Sequence, residues 1–253
     1  MKPWLNHPWR VTVRLLWLGG GLAFTALDYL CRCVFRAKAE MPVARARWLQ
    51  RASRRLLKIF GTTPEAFGTL PTTGLLVCNH LSYVDILVLS SLTPALFVAK
   101  SEVKSWPVFG WFARLAGTVF ANREKRTQAG QTADEIEVAL RSGVLVILFP
   151  EGTSSDGQSV LPFKSSLLAP AARQTHPLHA ACINYELADG NVGGDVCYWG
   201  EMTLLPHLIN LLSKRRVHSY VHFAPLRDGS TDRKELARQL HAEVVRLKAA
   251  GAR

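Results

Sequence analysis

The sequence predicts an α/β fold in which helices flank a mainly parallel central sheet, preceded by an N-terminal helical segment that anchors the chain to a membrane. Short β-rich runs alternate with helical patterns from residue 74 onward, and this alternation is typical of parallel strands joined by helical crossovers. Strands are predicted at residues 74–78, 96–99, 118–121, 144–149, 180–185 and 220–224. In such folds the functional loops follow the carboxyl ends of the strands.

Two helix starts are predicted from capping residues. Thr132 and Glu135 have the spacing of a capping box, and they precede a helical run that stops at Gly143. Thr231 or Asp232 is predicted to open the last helix, which covers residues 233–248.

Length and composition limit the class of protein. The chain has 253 residues, which is enough for one large domain with a sizeable core. A hydrophobic fraction of 48% with 20% charged residues excludes both intrinsic disorder and a protein of many membrane spans. The net charge of +12 predicts attraction to phosphate groups. The cysteines form no CxxC pair, so neither a disulfide framework nor a zinc site is expected.

Residues 1–60 are predicted to form membrane-associating helices, and residues 61–253 form the main domain. The uninterrupted apolar run at residues 15–27 is shorter than the roughly 20 residues of a full span, which favours shallow insertion from one side. The alternatives are a span in which Arg14 reaches the interface and Asp28 lies at an edge, a buried helix, and a signal-like segment.

A basic amphipathic helix is predicted to follow this segment and to end at Gly61. Its basic face either lies in solvent while the helix packs on the domain, or lies on an anionic bilayer. The adjoining apolar segment favours the bilayer. No nucleic-acid reading motif occurs, so nucleic acid is not an expected partner.

The loop after the first predicted strand carries His80 and Asp85. Ser82 and Asp85 have capping-box spacing, so one interpretation is that Asp85 only caps the helix that follows. On one regular helix, His80 and Asp85 would point about 140° apart, so they can meet only if His80 lies in the turn before the helix. A carboxylate placed there would orient the imidazole as a general base.

The loop after the most apolar predicted strand runs from Phe149 through Pro150 and Glu151 to Gly152 and Thr153. Proline ends the strand because it lacks a ladder donor, and glycine permits backbone conformations that other residues avoid. Glu151 is thereby placed at the carboxyl end of a strand. Taken alone, this pattern is typical of a turn.

Together these loops resemble the glycerolipid acyltransferase (PlsC-like) family, whose best-known members are 1-acyl-glycerol-3-phosphate acyltransferases. The resemblance covers residues 75–225, with the blocks in the family's order and spacing. The first block is matched by Asn79, His80 and Asp85, the second by Gly117, Phe120 and Arg123, and the third by residues 149–153.

The resemblance implies that residues 61–253 are a catalytic domain that transfers a fatty acyl group from acyl carrier protein or coenzyme A to a lysolipid hydroxyl, with 1-acyl-glycerol-3-phosphate as the first acceptor. His80 would take the hydroxyl proton while Asp85 orients the imidazole. Substrate-binding roles are implied for Asn79, Arg123, Glu151, Gly152 and Thr153. No metal or cofactor beyond the thioester donor is expected. Since such donors are cytosolic, the protein is expected on the cytoplasmic face of the inner (plasma) membrane.

Two departures from the family pattern affect the acceptor. Ser154 stands where the third block usually continues with arginine, and the fourth block has alanine in place of a proline. The serine-rich third block, together with residues 161–166 and 199–207, resembles the branch that includes lyso-ornithine-lipid acyltransferases, which makes lyso-ornithine lipid the alternative acceptor. A non-catalytic membrane-surface binding protein and a thioesterase are the alternatives of other kinds.

Overall fold

The computed structural model describes residues 7–121, 129–173 and 175–251, which form a seven-stranded sheet flanked by helices. The strands are β1 (Thr62–Phe67), β2 (Leu75–Cys78), β3 (Ala95–Lys100), β4 (Val119–Ala121), β5 (Leu145–Leu148), β6 (Leu178–Leu187) and β7 (Val217–Leu226). The helices are α1 (Pro8–Arg32), α2 (Met41–Phe60), α3 (Val84–Leu92), α4 (Phe109–Leu115), α5 (Ala129–Arg141), α6 (Val192–Asp195), α7 (Leu204–Ser213) and α8 (Arg233–Ala250).

The strand order is β1-β7-β6-β2-β5-β3-β4, and all neighbours are parallel except the antiparallel pair β6 and β7. This sheet confirms the predicted fold class and contains each of the predicted strands. The sequence pattern does not predict β1, which includes Pro64. A proline is tolerated there because β1 lies at the edge of the sheet.

Apolar side chains cover both faces of the sheet. The central strands β2 and β5 are buried along their whole length, as expected for parallel strands between two layers of helices. One face packs against α5 and α8 through side chains such as Ile136 and Leu240. The other face packs against α2, α3 and α7 through Leu57, Val88 and Leu211. Because β2 and β5 are held in this core, the loops that follow them begin at well-defined positions at the edge of the sheet.

One predicted helix start is wrong and one is confirmed. Helix α5 is already present at Ala129, so the capping-box spacing of Thr132 and Glu135 does not mark its beginning, and Thr132 lies buried inside the helix. Helix α8 begins after Asp232, whose side chain accepts hydrogen bonds from the next backbone amides. A capping pattern marks the first residue of a helix only where tertiary packing does not extend the helix further.

Helices α1 and α2 form a closely packed pair. A Cβ added at Gly21 would lie 3.0 Å from the Ile59 side chain, so glycine allows the close approach of the two helices. Trp48 on α2 donates a 2.9 Å hydrogen bond to the Thr25 carbonyl oxygen on α1. Helix α2 ends at Phe60, with Gly61 in the left-handed conformation at φ 69°, as the sequence predicts. The buried side chain of Phe60 joins this helix to the core beside the sheet.

A buried aspartate links the two helices through arginine side chains. Asp28 accepts a 2.6 Å hydrogen bond from Arg32 and lies 3.6 Å from both Arg51 and Arg55. Burial opposes ionisation of Asp28, but the hydrogen bond from Arg32 and the charges of the other arginines hold its pKa below the ordinary value. Part of the basic face of α2 therefore faces α1 instead of solvent or lipid.

Helix α1 packs on the protein along one side only. Arg14 donates hydrogen bonds to the carbonyl oxygens of Leu212 and Lys214, where the end of α7 favours a positive charge. The other side exposes large apolar side chains, namely Trp9, Leu16, Trp17, Phe24, Leu27 and Leu30. This exposure excludes the alternative of a buried helix. Among the described residues, Pro8–Arg32 is the helix that is long and apolar enough to cross a membrane, judged by length and composition alone.

Candidate active site

Parallel pairing brings the carboxyl ends of three strands to one edge of the sheet. Strand β2 pairs with β5 on one side and with β6 on the other, and all three run in the same direction. His80 follows β2, Glu151 follows β5, and Tyr185 lies near the end of β6. Segments that are far apart in the sequence therefore meet at this edge, which is where ligands of open α/β sheets usually bind.

His80 and Asp85 form a directly hydrogen-bonded pair. The imidazole Nδ1 lies 2.8 Å from Asp85 Oδ2, and His80 lies in the turn before α3, as the spacing requires. With Nδ1–H donating to the carboxylate, Nε2 carries the lone pair. Within the described residues Nε2 makes no hydrogen bond, and 21% of the His80 side chain is exposed. The ring is therefore oriented to accept a proton from a bound group.

Asp85 is fully buried and accepts hydrogen bonds on both carboxylate oxygens. Oδ2 also accepts from the backbone N–H groups of Leu81 at 2.7 Å and Ser82 at 2.9 Å. Asp85 thus binds the turn before α3 and holds the histidine there. Only half of the predicted capping box forms, because Asp85 accepts the Ser82 N–H while the Ser82 hydroxyl makes no hydrogen bond within the described residues. Its described partners other than His80 are neutral, so the carboxylate charge is available to stabilise an imidazolium.

Tyr185 supplies the remaining contact of Asp85, and sequence reasoning did not single it out. Its hydroxyl donates a 2.6 Å hydrogen bond to Asp85 Oδ1 across a separation of 100 residues. Burial, and then the charge of Asp85, raise the pKa of this phenol well above its ordinary value, which keeps the hydroxyl a donor. The only signal in the sequence is that Tyr185 ends the predicted strand at residues 180–185.

Asn79 fastens the loop that carries His80, called the catalytic loop below for its proposed role, to the neighbouring strand β6. Its side-chain oxygen accepts from the Ile183 N–H at 2.8 Å, and its side-chain nitrogen donates to the Ile183 carbonyl at 3.0 Å. The amide therefore extends the hydrogen bonding of β2 to β6 by one residue. Contact between Asn79 and substrate stays a prediction.

Glu151 lies beneath the loop and supports the backbone of His80. Its Oε1 accepts a hydrogen bond of 3.2 Å from the His80 N–H, and the residue is only 2% exposed. Burial raises the pKa of Glu151 to about 8, although the amides of His80 and Leu161 favour the ionised form. Glu151 is therefore mainly protonated at neutral pH. Its implied role as a substrate-binding residue stays a prediction.

The other implied substrate-binding residues differ in their surroundings. Gly152 is buried and has φ 76°, a conformation that favours glycine, and its N–H donates to the Phe149 carbonyl at 3.2 Å. Thr153 is exposed. Arg123 lies outside the described residues. The Ser154 hydroxyl, at the position where the family has arginine, donates to the Tyr198 carbonyl.

An aromatic ring supports the histidine from one side. The Phe149 ring stacks on the His80 imidazole with 4.1 Å between centroids and 16° between planes. Phe149 is itself buried and packs against Phe97 of β3. Packing of the ring and the hydrogen bond to Asp85 together hold the imidazole in one orientation. Such preorganisation is what a general base needs.

The thiols near the site are poor candidates for a nucleophile. Burial raises the pKa of Cys197 to about 12, and it raises the pKa of Cys78 well above its ordinary value. A thiol attacks as its thiolate, so both groups are unreactive at neutral pH. The geometry therefore favours direct deprotonation of a bound hydroxyl or water by His80 over a covalent cysteine intermediate.

Comparison with known proteins matches this arrangement to one family. The family model described as "Acyltransferase" matches residues 65–184. The chain is 36% identical over 218 residues to the lyso-ornithine lipid O-acyltransferase of Rhizobium meliloti, which covers 79% of this chain and 75% of the relative. It is 35% identical over 138 residues to the 1-acyl-sn-glycerol-3-phosphate acyltransferase of Neisseria meningitidis, which covers 51% of this chain and 54% of the relative.

A solved structure has the same fold. The crystal structure of the 1-acyl-sn-glycerophosphate acyltransferase PlsC from Thermotoga maritima superimposes with a TM-score of 0.70. The match covers 96% of this chain and 95% of that chain at 20% sequence identity. The similarity includes the N-terminal helices as well as the sheet, because so little of either chain lies outside it.

Proposed function

The chain belongs to the acyltransferase family, and on that premise we propose that it transfers a fatty acyl group from a thioester donor to the hydroxyl group of a lysolipid. The observation that carries the proposal is the 2.8 Å contact that fixes His80 against Asp85 and leaves Nε2 accessible at the carboxyl edge of the sheet. The acceptor binds with its hydroxyl at Nε2, and the donor binds with its carbonyl carbon beside that hydroxyl.

The reaction needs one base and no covalent enzyme intermediate. His80 Nε2 takes the hydroxyl proton as the acceptor oxygen attacks the thioester carbonyl, and Asp85 stabilises the imidazolium that forms. The new C–O bond forms, the C–S bond breaks, and the imidazolium returns the proton to the leaving thiolate. The raised pKa values of Cys78 and Cys197 support this direct transfer.

Two acceptors are supported. The family resemblance favours 1-acyl-glycerol-3-phosphate, which would give phosphatidic acid. The relatives from Rhizobium meliloti and Brucella abortus that match over 75% and 79% of their lengths are named as acting on lyso-ornithine lipid. Ser154 adds support for the second acceptor, because its hydroxyl is engaged with Tyr198 and provides no cation for a phosphate.

The test is an assay of the purified full-length protein with acyl carrier protein and coenzyme A thioesters and both lysolipids. We expect acceptor-dependent transfer, and we expect His80→Ala to lower kcat/KM by about 10² to 10⁴ because the base is lost. His218→Ala is the matched control, since that ring stacks on Tyr220 away from the catalytic loop. Thioester cleavage that ignores the acceptor would identify a thioesterase, and no turnover of any pair would identify a non-catalytic lipid-binding protein.

The exposed apolar side of α1 supports a position on the cytoplasmic face of a membrane, where the cytosolic donors and the lipid acceptor meet. The basic charge of the protein adds attraction to anionic lipid. Removal of residues 1–60 is an unsuitable test because Leu57 and Phe60 belong to the core. Trp17→Ser with Leu27→Ser should instead release the protein from phosphatidylglycerol vesicles. Val138→Ser, at an exposed apolar position on α5, should not.

A further inference from the structure

A cavity of about 370 Å³ lies beside the catalytic loop. Its lining includes Asp156, Gln158, Asn191, Gly193, Trp199 and Met202. The side chains that bear on a ligand are one carboxylate, two amides and one indole. No residue of the catalytic pair lines this cavity, so it is a separate subsite.

Two backbone hydrogen bonds connect the segments that line the cavity to the backbone of the catalytic loop. The Ser155 N–H donates to the His80 carbonyl at 2.9 Å, and the Tyr198 N–H donates to the Leu81 carbonyl at 2.8 Å. The next residue along each segment, Asp156 and Trp199, lines the cavity. Consecutive Cα atoms are about 3.8 Å apart, so each of these lining residues lies one residue from a direct backbone contact with the catalytic loop.

The carboxylate of Asp156 has capacity for a cationic ligand. Its Oδ1 accepts the Gln158 N–H at 3.0 Å, which fixes the side chain in a turn and leaves Oδ2 outside the hydrogen bonds of the described residues. No described salt bridge includes this carboxylate. Asp156 therefore lines the cavity without a described salt bridge. The Lys248 ammonium donates to the Gly157 carbonyl, next to Asp156 in the chain, but forms no described salt bridge with the carboxylate.

Trp199 adds an aromatic surface to the same cavity. Its Nε1 donates a 2.8 Å hydrogen bond to the Gly193 carbonyl, so the indole is held in place while 41% of the residue stays exposed. Indole faces attract ammonium groups, and a nearby carboxylate strengthens that attraction. A fixed aromatic ring, a carboxylate and neutral amides are together suited to a primary amine.

We propose that this cavity binds the ammonium group of an amine-bearing lysolipid acceptor, with Asp156 as its charge partner and Trp199 as its aromatic wall. The inference rests on the proposed function and names the acceptor class that the site selects. Ornithine that is acylated on one nitrogen keeps a second amine, whereas 1-acyl-glycerol-3-phosphate has none. A phosphomonoester at this position would be repelled by the Asp156 carboxylate.

Ser154 joins the two segments that line this subsite. Its hydroxyl donates to the Tyr198 carbonyl, which joins the segment of Asp156 to the segment of Trp199. An arginine at this position would place a cation two residues from Asp156 and compete with a ligand amine for the carboxylate. The serine therefore suits the same acceptor class as the carboxylate does.

The experiment compares two acceptors that differ at one amine: lyso-ornithine lipid with a free, charged amine, and the same lipid with that amine converted to a neutral acetamide. We expect the wild-type protein to prefer the lipid with the free amine. Asp156→Asn should raise the KM for that lipid about tenfold or more and leave the KM for the acetylated lipid unchanged. Asp134→Asn is the control, because that carboxylate is exposed on α5 and its removal changes the net charge equally. Trp199→Leu is a second, independent variant and should raise the KM of the free amine several-fold.

Three results would overturn the inference: equal use of the two lipids by the wild-type protein, an equal effect of Asp156→Asn on both, or wild-type turnover of 1-acyl-glycerol-3-phosphate alone. The last result would leave the proposed function standing. Failure of the wild-type protein to acylate any lysolipid would overturn the proposed function itself, and the inference with it.

Discussion

Two buried aspartates, Asp28 and Asp85, lie at the centres of polar networks in different parts of the molecule. Asp28 lies between α1 and α2 and faces three arginines. Asp85 lies at the carboxyl edge of the sheet and accepts hydrogen bonds from two backbone amides, a tyrosine and His80. The carboxyl group is the same in both, but its partners differ in charge.

The difference separates a carboxylate whose charge is already paired with arginines from one whose charge suits the proposed proton transfer. The charge of Asp28 is compensated permanently by arginine, so it joins two helices and can stabilise no further cation. The charge of Asp85 is solvated by neutral donors and could stabilise the imidazolium that the proposed proton transfer would form. Removal of each charge should therefore affect a different property.

Asp85→Asn should give the largest effect, a loss of about 10² to 10³ in kcat/KM. The amide lacks the charge that stabilises the imidazolium, and it can satisfy fewer of the donors now on Oδ2. The measurement is steady-state transfer per folded molecule, with folding checked by circular dichroism. Unchanged activity together with a lower melting temperature would show that Asp85 acts only as a cap.

Glu151→Gln should remove a pH dependence of stability. The folded-state pKa of about 8 lies above the ordinary value of 4.5, so the folded protein holds a proton that the unfolded chain releases. Wild-type stability should therefore fall as pH rises through this window, by an amount on the order of a few kcal/mol.

Glutamine keeps a neutral side chain whose oxygen can still accept the His80 N–H. Denaturant unfolding of both proteins at pH 5, 6.5 and 8 measures the difference, which should grow with pH in favour of the variant. If the free energy of unfolding had the same pH dependence in both proteins, Glu151 would titrate in the folded state as it does in the unfolded chain.

Asp28→Asn should lower the free energy of unfolding by about 1–2 kcal/mol and leave kcat in detergent micelles unchanged. The loss is modest because the arginines that face Asp28 are partly exposed and regain water. Chemical denaturation and the micellar assay provide the two readouts. A fall in kcat without a fall in stability would contradict the structural role given to this residue.

Tyr185→Phe should have the smallest effect, a decrease in kcat/KM of less than about tenfold. The hydrogen bond that His80 Nδ1–H donates to Asp85 Oδ2 survives, while Oδ1 loses its tyrosine donor. Steady-state transfer per folded molecule measures the decrease. A loss as large as that of Asp85→Asn would contradict the minor role given to this hydroxyl.

Much of the fold can be predicted because the responsible signals are local. The apolar runs at β2 and β5 are continuous, which identifies central parallel strands, and the loops that follow them carry His80 and Glu151. The spacing of His80 and Asp85 also restricts how the two side chains can meet. Local signals did not predict strand β1, which depends on its position at the edge of the sheet. They also did not predict the start of α5, which depends on helix packing.

The sequence by itself determined the α/β class and the loops that carry His80 and Glu151, and it restricted how His80 and Asp85 can meet, since each depends on residues close together in the chain. Only the tertiary structure decided the contact of Tyr185 with Asp85, the buried and protonated state of Glu151, and the cavity between Asp156 and Trp199. These features join segments tens of residues apart or more. Their meeting depends on strand order, and the periodicity of a single segment does not specify the order in which strands pair.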